Sequence, residues 1–200
     1  MFKCGDDLQR TQAWVEANSQ QKYSTRKMYK NLQGRKPNVP WRRVFFGNSA
    51  RLRAAFILWL ACRNRLPTKD RISKFGVQTD GKCIYCGDEE SCQHLFFECR
   101  VTRHVWLQVL NWLKLPHTPH RWDLELEWIS KTVSKSNVRS KTLQLAIAEV
   151  VYAVWNVRNH KIFQDDSHME LDSHQIIQNI KWRLSGTPKL EAYCHTLDID

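Results

Sequence analysis

The stretch CIYCGDEESCQHLFFEC, residues 83–99, decides how this chain is read. It holds four of the chain's seven cysteines together with one histidine. Such residues serve a metal site, a disulfide framework or a cysteine–histidine nucleophile. The spacing is Cys83-x2-Cys86-x7-His94-x4-Cys99. Zinc takes four thiolate or imidazole donors at tetrahedral corners, with Zn–S about 2.3 Å and Zn–N about 2.0–2.1 Å. A Cys-x2-Cys turn lets two thiolates reach one ion, and Gly87 permits a tight backbone turn directly after it. The intervening loop is long enough to bring His94 back.

The second pair makes a demand of its own. Five residues at about 100° each place His94 and Cys99 about 140° apart on a continuous helix, so they cannot share a face. The spacing therefore predicts a break near Glu98–Cys99. Ser91 would cap a short helix through Phe97, and a new helix would start at about Cys99. Leu95, Phe96 and Phe97 would anchor the site in the core. Cys92 is the alternative fourth ligand, but Cys99 closes the loop over Leu95–Phe97 and is preferred. A set of buried thiols is the bland alternative, and a Cys–His nucleophile a further one. Four protein ligands leave no position for water, so the expected ion is a single structural Zn2+ with no catalytic role.

The rest of the chain supports an intracellular reading. No segment reaches about 18 uninterrupted apolar residues, the length of a membrane span. The opening MFKCGDDLQR lacks the apolar run of a signal peptide. In a reducing compartment cysteines bind metals more often than they pair, and seven cannot all pair. Low glycine (7) and proline (6) with nine tryptophans favour helices around a substantial core.

Charge is one-sided. Residues 22–82 carry 16 Lys and Arg against Asp70 and Asp80, whereas the remainder carries 15 basic and 18 acidic residues. Such a block points to a polyanion, most simply RNA or DNA. A solvated helical face is the alternative. The candidate phosphate contacts are Arg42, Arg43, Arg51, Arg53, Arg63, Arg65, Lys69 and Arg71. The cysteine stretch is itself acidic at Asp88, Glu89, Glu90 and Glu98, so it is expected to hold the cationic surface rather than form it.

Periodicity gives an all-α fold, a small helical domain organised around a structural CCHC zinc knuckle. Residues 1–21 read as a polar tail and 22–116 as the basic helical region with the knuckle. Residues 117–139 read as a connector, 140–166 as a long helix packed on the domain, and 167–200 as a weakly ordered or short helical tail. Within these, STRKMYKNLQ (24–33) suggests a short amphipathic helix. SARLRAAFILWLACRNRL (49–66) places Leu52, Ala55, Phe56, Trp59 and Cys62 on one face, and Pro67 ends it. TKDRISKFG (68–76) reads as a short helix. Residues 101–115 present Val101, Val105, Trp106, Val109, Trp112 and Leu113. The longest helix, 140–163, presents Leu143, Ile147, Val150, Val151, Val154 and Trp155. Weaker helices are expected near LELEWISKTV and over 173–185.

Two aspartate pairs, CGDD at 4–7 and FQDD at 163–166, mimic polymerase metal motifs. Neither sits in the β-hairpin that such chemistry needs. His117-x2-His120, between prolines, reads as a solvated loop that could bind an ion only weakly.

Taken together, FILWLACRNRLPTKDRISKFGV, CIYCGDEESCQHLFFEC and the VW at 105–106 resemble the zinc-binding domain that follows the reverse transcriptase of plant LINE-type (non-LTR) retrotransposons. YSTRKMYKNL, Trp41 and VWNVRNHKIF extend the resemblance over about residues 22–165. WRRVFFG (41–47) has phenylalanine where a second tryptophan is usual. The resemblance implies Zn2+ on Cys83, Cys86, His94 and Cys99, a nuclear setting, and a parent polyprotein that copies its RNA at a nicked chromosomal target. It implies no catalytic residue here, no small-molecule substrate and no membrane partner, and no polymerase activity is expected of this chain. The expected function is zinc-stabilised nucleic-acid binding. The alternatives are a module docking on the parent reverse transcriptase and a non-functional remnant.

Overall fold

Residues 142–151 of the chain are buried without interruption, which makes the helix that contains them the centre of the molecule. The structure, a computed structural model, describes residues 41–133, 137–164 and 169–198, with Val15, Arg26 and Val39. The chain divides into two compact units, Met1–Val39 and Pro40–Asp200, and every element below lies in the second. The helix read at 24–33 and the CGDD at 4–7 fall outside the described residues.

Among the described residues the elements are α1 (Arg42–Phe45), α2 (Leu52–Cys62), α3 (Lys69–Ser73), a π-helical turn (His94–Glu98), α4 (Arg100–Trp112), α5 (Trp122–Thr132), α6 (Val138–Phe163), α7 (Ser173–Leu184) and α8 (Pro188–Leu197). Among the same residues β pairing is a single bridge, Lys82 to Glu89. The protein is all-α, as its periodicity indicates.

α6 starts where the Asn137 side chain accepts a hydrogen bond from the Ser140 amide, satisfying one of the free donors of a helix start. The expected stripe from Leu143 to Trp155 is buried, but so is most of the remaining circumference. α2, α7 and α8 all pack against it. A helix enclosed on every side must also satisfy its polar residues. Gln144 donates to the Arg43 carbonyl at 2.5 Å and accepts from Asn48 through its own carbonyl. Glu149 receives Arg51, and Arg158 donates to Glu90. Each partner comes from the basic segment or the cysteine stretch, so α6 is the post on which both are hung.

α2 corrects the sequence reading. Its buried residues are Ala54, Leu58 and Ala61, not the stripe from Leu52 to Cys62. Leu52 is 89% exposed and Phe56 56%. The helix is apolar on two opposite sides, and the larger side chains lie on the wrong one. On the inner side Leu58, between Ala54 and Ala61, is fully buried where α2 packs against α6. Arg51, which caps α2, is held at Glu149 and stacks on Tyr152, its guanidinium 4.4 Å from the ring centroid.

α4 and α5 meet over an aromatic cluster. Phe96 and Phe97 lie 5.1 Å and 5.4 Å from the Trp122 ring, and Phe97 lies 5.8 Å from Trp106. The segment read as a connector thus contributes Trp122, Leu126 and Ile129 to the core. His117 is not in a solvated loop. Its ring stacks on Trp128 at 3.6 Å and its Nε2 meets Glu125 at 2.9 Å. The buried Glu125 also accepts from Trp106 Nε1 at 2.7 Å and the His120 amide at 2.9 Å. The C-terminal residues are not a loose appendage either. Ile176, Ile180, Leu184, Leu190, Cys194 and Leu197 join the core from α7 and α8. FQDD follows the end of α6 at Phe163, and Asp165 and Asp166 lie outside the described residues.

Candidate metal centre

Cys83 and Cys86 sit at the tip of a miniature hairpin. The Glu90 amide donates to the Gly81 carbonyl at 2.8 Å, and the Cys83 amide to Asp88 at 2.6 Å. The Gly87 amide closes the turn on the Cys83 carbonyl at 2.9 Å. Gly87 has φ +84°, a conformation that costs a residue with a side chain. That is the turn the sequence requires after Cys86.

His94 and Cys99 come from the helical side. The Ser91 hydroxyl accepts from the His94 amide at 3.1 Å, as expected of a cap. The helix then widens into a π turn over His94–Glu98, and the Cys99 amide donates back to the His94 carbonyl at 2.8 Å. Cys99 itself is extended, with φ −61° and ψ 127°, and α4 starts at the next residue. The break demanded by the five-residue spacing falls at Cys99, and the i→i+5 widening that precedes it is a feature common at functional sites. Leu95, Phe96 and Phe97 are buried beneath.

These turns bring the four side chains together. The candidate ligand atoms of Cys83, Cys86, His94 and Cys99 all lie within 4.8 Å of one another. Among the described residues this is the one such cluster. Cys83 Sγ and Cys99 Sγ are 4.0 Å apart, and Cys86 Sγ is 3.1 Å from His94 Nε2. A zinc tetrahedron with Zn–S of about 2.3 Å has S···S edges of about 3.8 Å, so the arrangement fits an ion of that kind. The donor set, three sulfurs and one imidazole, suits zinc in type as well as in size. The hydrogen bond between the Cys83 and Cys99 thiols raises the pKa of Cys83 and lowers that of Cys99.

Cys92 lies elsewhere. Its thiol donates to the Ala61 carbonyl at 3.7 Å, and burial pushes it up to about 12. It joins the cysteine stretch to α2 and takes no part in the cluster.

Three residues that sequence reasoning does not single out hold this site to the core. The Tyr85 hydroxyl donates to the Val154 carbonyl at 2.7 Å. Glu90 accepts from Arg158 Nη2 at 2.7 Å and from the Lys69 amide at 2.7 Å. By sequence Glu90 is one more acid of a solvated run, yet it is 1% exposed. Its neighbours Asp88 and Glu89 do face solvent, and with Asp70, Asp80, Glu98 and His94 they line an open recess beside the cluster.

The eight candidate phosphate contacts divide. Arg42, Arg43, Arg53, Arg63 and Arg65 are exposed, and Arg71 is half-buried with one nitrogen on the Asn64 carbonyl. Arg51 is bound to Glu149. Lys69 is buried, with Nζ 2.7 Å from Asp80 and 2.7 Å from the Lys82 carbonyl. Those two serve the fold. No described helix is long and apolar enough to cross a membrane.

No curated protein and no solved structure matches the chain. Residues 23–106, which contain the basic segment and the whole Cys3His cluster, match the family model zf-RVT, zinc-binding in reverse transcriptase.

Proposed function

We propose that this chain is a zinc-stabilised nucleic-acid-binding domain of a retrotransposon reverse transcriptase of the plant LINE type, or a captured fragment of one, acting in the nucleus. One structural Zn2+ sits on Cys83, Cys86, His94 and Cys99. When bound, it cross-links the hairpin to the start of α4 and supplies no catalysis, because all four positions are taken by protein. Cys83 and Cys86 hold the hairpin tip. His94 presents Nε2 toward the sulfurs, and Cys99 fixes the orientation of α4. Glu90 and Arg158 then fasten this unit to α6, and Lys69 fastens it to the segment that follows α2.

The observation that carries the nucleic-acid reading is the set of exposed arginines, Arg42, Arg43, Arg53, Arg63 and Arg65, in a sequence with no acid between Glu16 and Asp70. Exposed arginines without carboxylate partners are free to neutralise phosphates. Binding through five of these with Arg71 is salt-dependent, with a log–log slope of about −5 on duplex DNA and about −4 on a single strand. A gel-shift series across salt concentrations measures it. A slope near zero, or no retention at low salt, refutes phosphate binding and favours a module that docks on the parent reverse transcriptase.

A further inference from the structure

α2 presents an apolar and cationic stripe to solvent. Exposed Leu52, Phe56 and Arg63 and half-buried Trp59 are spaced by four, three and four residues in the order Leu52, Phe56, Trp59, Arg63, which at about 100° per residue keeps them within about 60° of arc. The buried residues Ala54, Leu58 and Ala61 occupy the opposite side. The stripe is not left over from the core. The Phe56 and Trp59 rings stack at 6.0 Å with 23° between their planes, and the Arg63 guanidinium lies 5.4 Å from the Trp59 centroid. The result is a ladder of flat groups one helical turn apart, with exposed Arg53 beside it.

Two other arginines lie over exposed rings in the same segment at i, i+4, exposed Arg42 and half-buried Arg71. Arg42 lies over Phe46 at 5.2 Å, and Arg71 over Phe75 at 5.8 Å. Phe46 is 61% exposed and Phe75 73%. Exposed rings cost hydration free energy, and an undistorted duplex, its bases paired and stacked, offers them no free base face. They do suit a strand whose bases are unpaired, where rings stack on bases and arginines meet the intervening phosphates. The absence of any acid from residues 17–69 gives the face the sign a phosphate backbone requires.

We infer that the outer face of α2, built on Phe56, Trp59, Arg53 and Arg63, is a stacking platform for single-stranded nucleic acid. This inference rests on the phosphate-binding reading above and adds the class of ligand.

The test uses the zinc-loaded full chain and fluorescence anisotropy with labelled 20-nucleotide strands, oligouridine and oligothymidine. Each is compared with an abasic strand of the same length, which carries the same phosphates and no bases. Wild type binds a base-bearing strand at least about tenfold more tightly than the abasic one, the scale of a stacked base. Phe56→Ala removes most of that preference, whereas Phe56→Tyr retains it. Equal affinity for base-bearing and abasic strands overturns the platform and leaves phosphate binding standing. So does a base preference that survives Phe56→Ala. Binding of neither strand at low salt overturns both readings and assigns the stripe to a protein partner.

Discussion

Arg158 Nη2 and Glu90 Oε1 meet at 2.7 Å, with side-chain exposures of 2% and 0%. The two residues lie 68 positions apart. Arg158 comes from the centre of the fold, and in sequence Glu90 lies between the two halves of the Cys3His cluster. A second nitrogen, Nε, reaches the other carboxylate oxygen at 3.3 Å. The bidentate geometry and the additional bond from the Lys69 amide satisfy the carboxylate's lone pairs, which a buried pair requires.

Removing one partner leaves the other charged and buried. Glu90→Gln or Arg158→Met lowers unfolding free energy by about 3–5 kcal/mol. The double substitution costs less than the sum of the singles. Urea denaturation of the zinc-loaded protein gives all three values. Additive losses would contradict the pairing.

The arginines separate by role. Arg63→Gln leaves stability within about 0.5 kcal/mol and lowers the salt slope of nucleic-acid binding by about 1. Arg51→Gln leaves Glu149 buried without its partner, so it lowers stability and leaves the slope alone. Thermal melts and salt titrations on the same two variants check this. Interchanged effects would refute the division.

Cys92 and Cys99 are equally buried thiols with different duties. Cys92→Ala retains the full metal content. Cys99→Ser removes a ligand and lowers zinc affinity by orders of magnitude. Competition with a colorimetric chelator measures both. Loss of metal in Cys92→Ala would make Cys92 a ligand.

Glu125 holds three donors in a buried site. Glu125→Ala strands the indole of Trp106 and the ring of His117, at a cost of about 3 kcal/mol, without changing zinc stoichiometry. Chemical denaturation with parallel metal analysis tests it. A near-neutral result would show that water replaces the carboxylate.

Much of the site is legible from spacing. Cys-x2-Cys-Gly specifies its own turn. The five-residue step from His94 to Cys99 is incompatible with one face of an α-helix, so spacing alone locates the break. The α6 stripe is legible because its apolar side chains recur at helical period from Leu143 to Trp155. α2 misleads because it is apolar on two sides. Periodicity ranks faces by side-chain size, whereas packing against α6 buries Ala54, Leu58 and Ala61. Glu90 escapes notice because a buried carboxylate is identified by its partner, and Arg158 is distant in sequence. Flanking prolines in the sequence suggest a solvated loop at His117, but stacking on Trp128 and the Glu125 carboxylate determine its place. The helix at 188–197 is hard to read because its buried core contacts, Leu190, Cys194 and Leu197, are only three.

The central claim is that a metal ion on Cys83, Cys86, His94 and Cys99 is part of the fold. The most direct measurement is metal content of the purified full chain by inductively coupled plasma mass spectrometry, paired with circular dichroism before and after chelation. Binding free energy at such a site is folding free energy. The account therefore predicts one equivalent of zinc, and loss of helical signal and thermal cooperativity on its removal, both restored by adding zinc back. Less than half an equivalent, or an unchanged melt after complete removal, would contradict it.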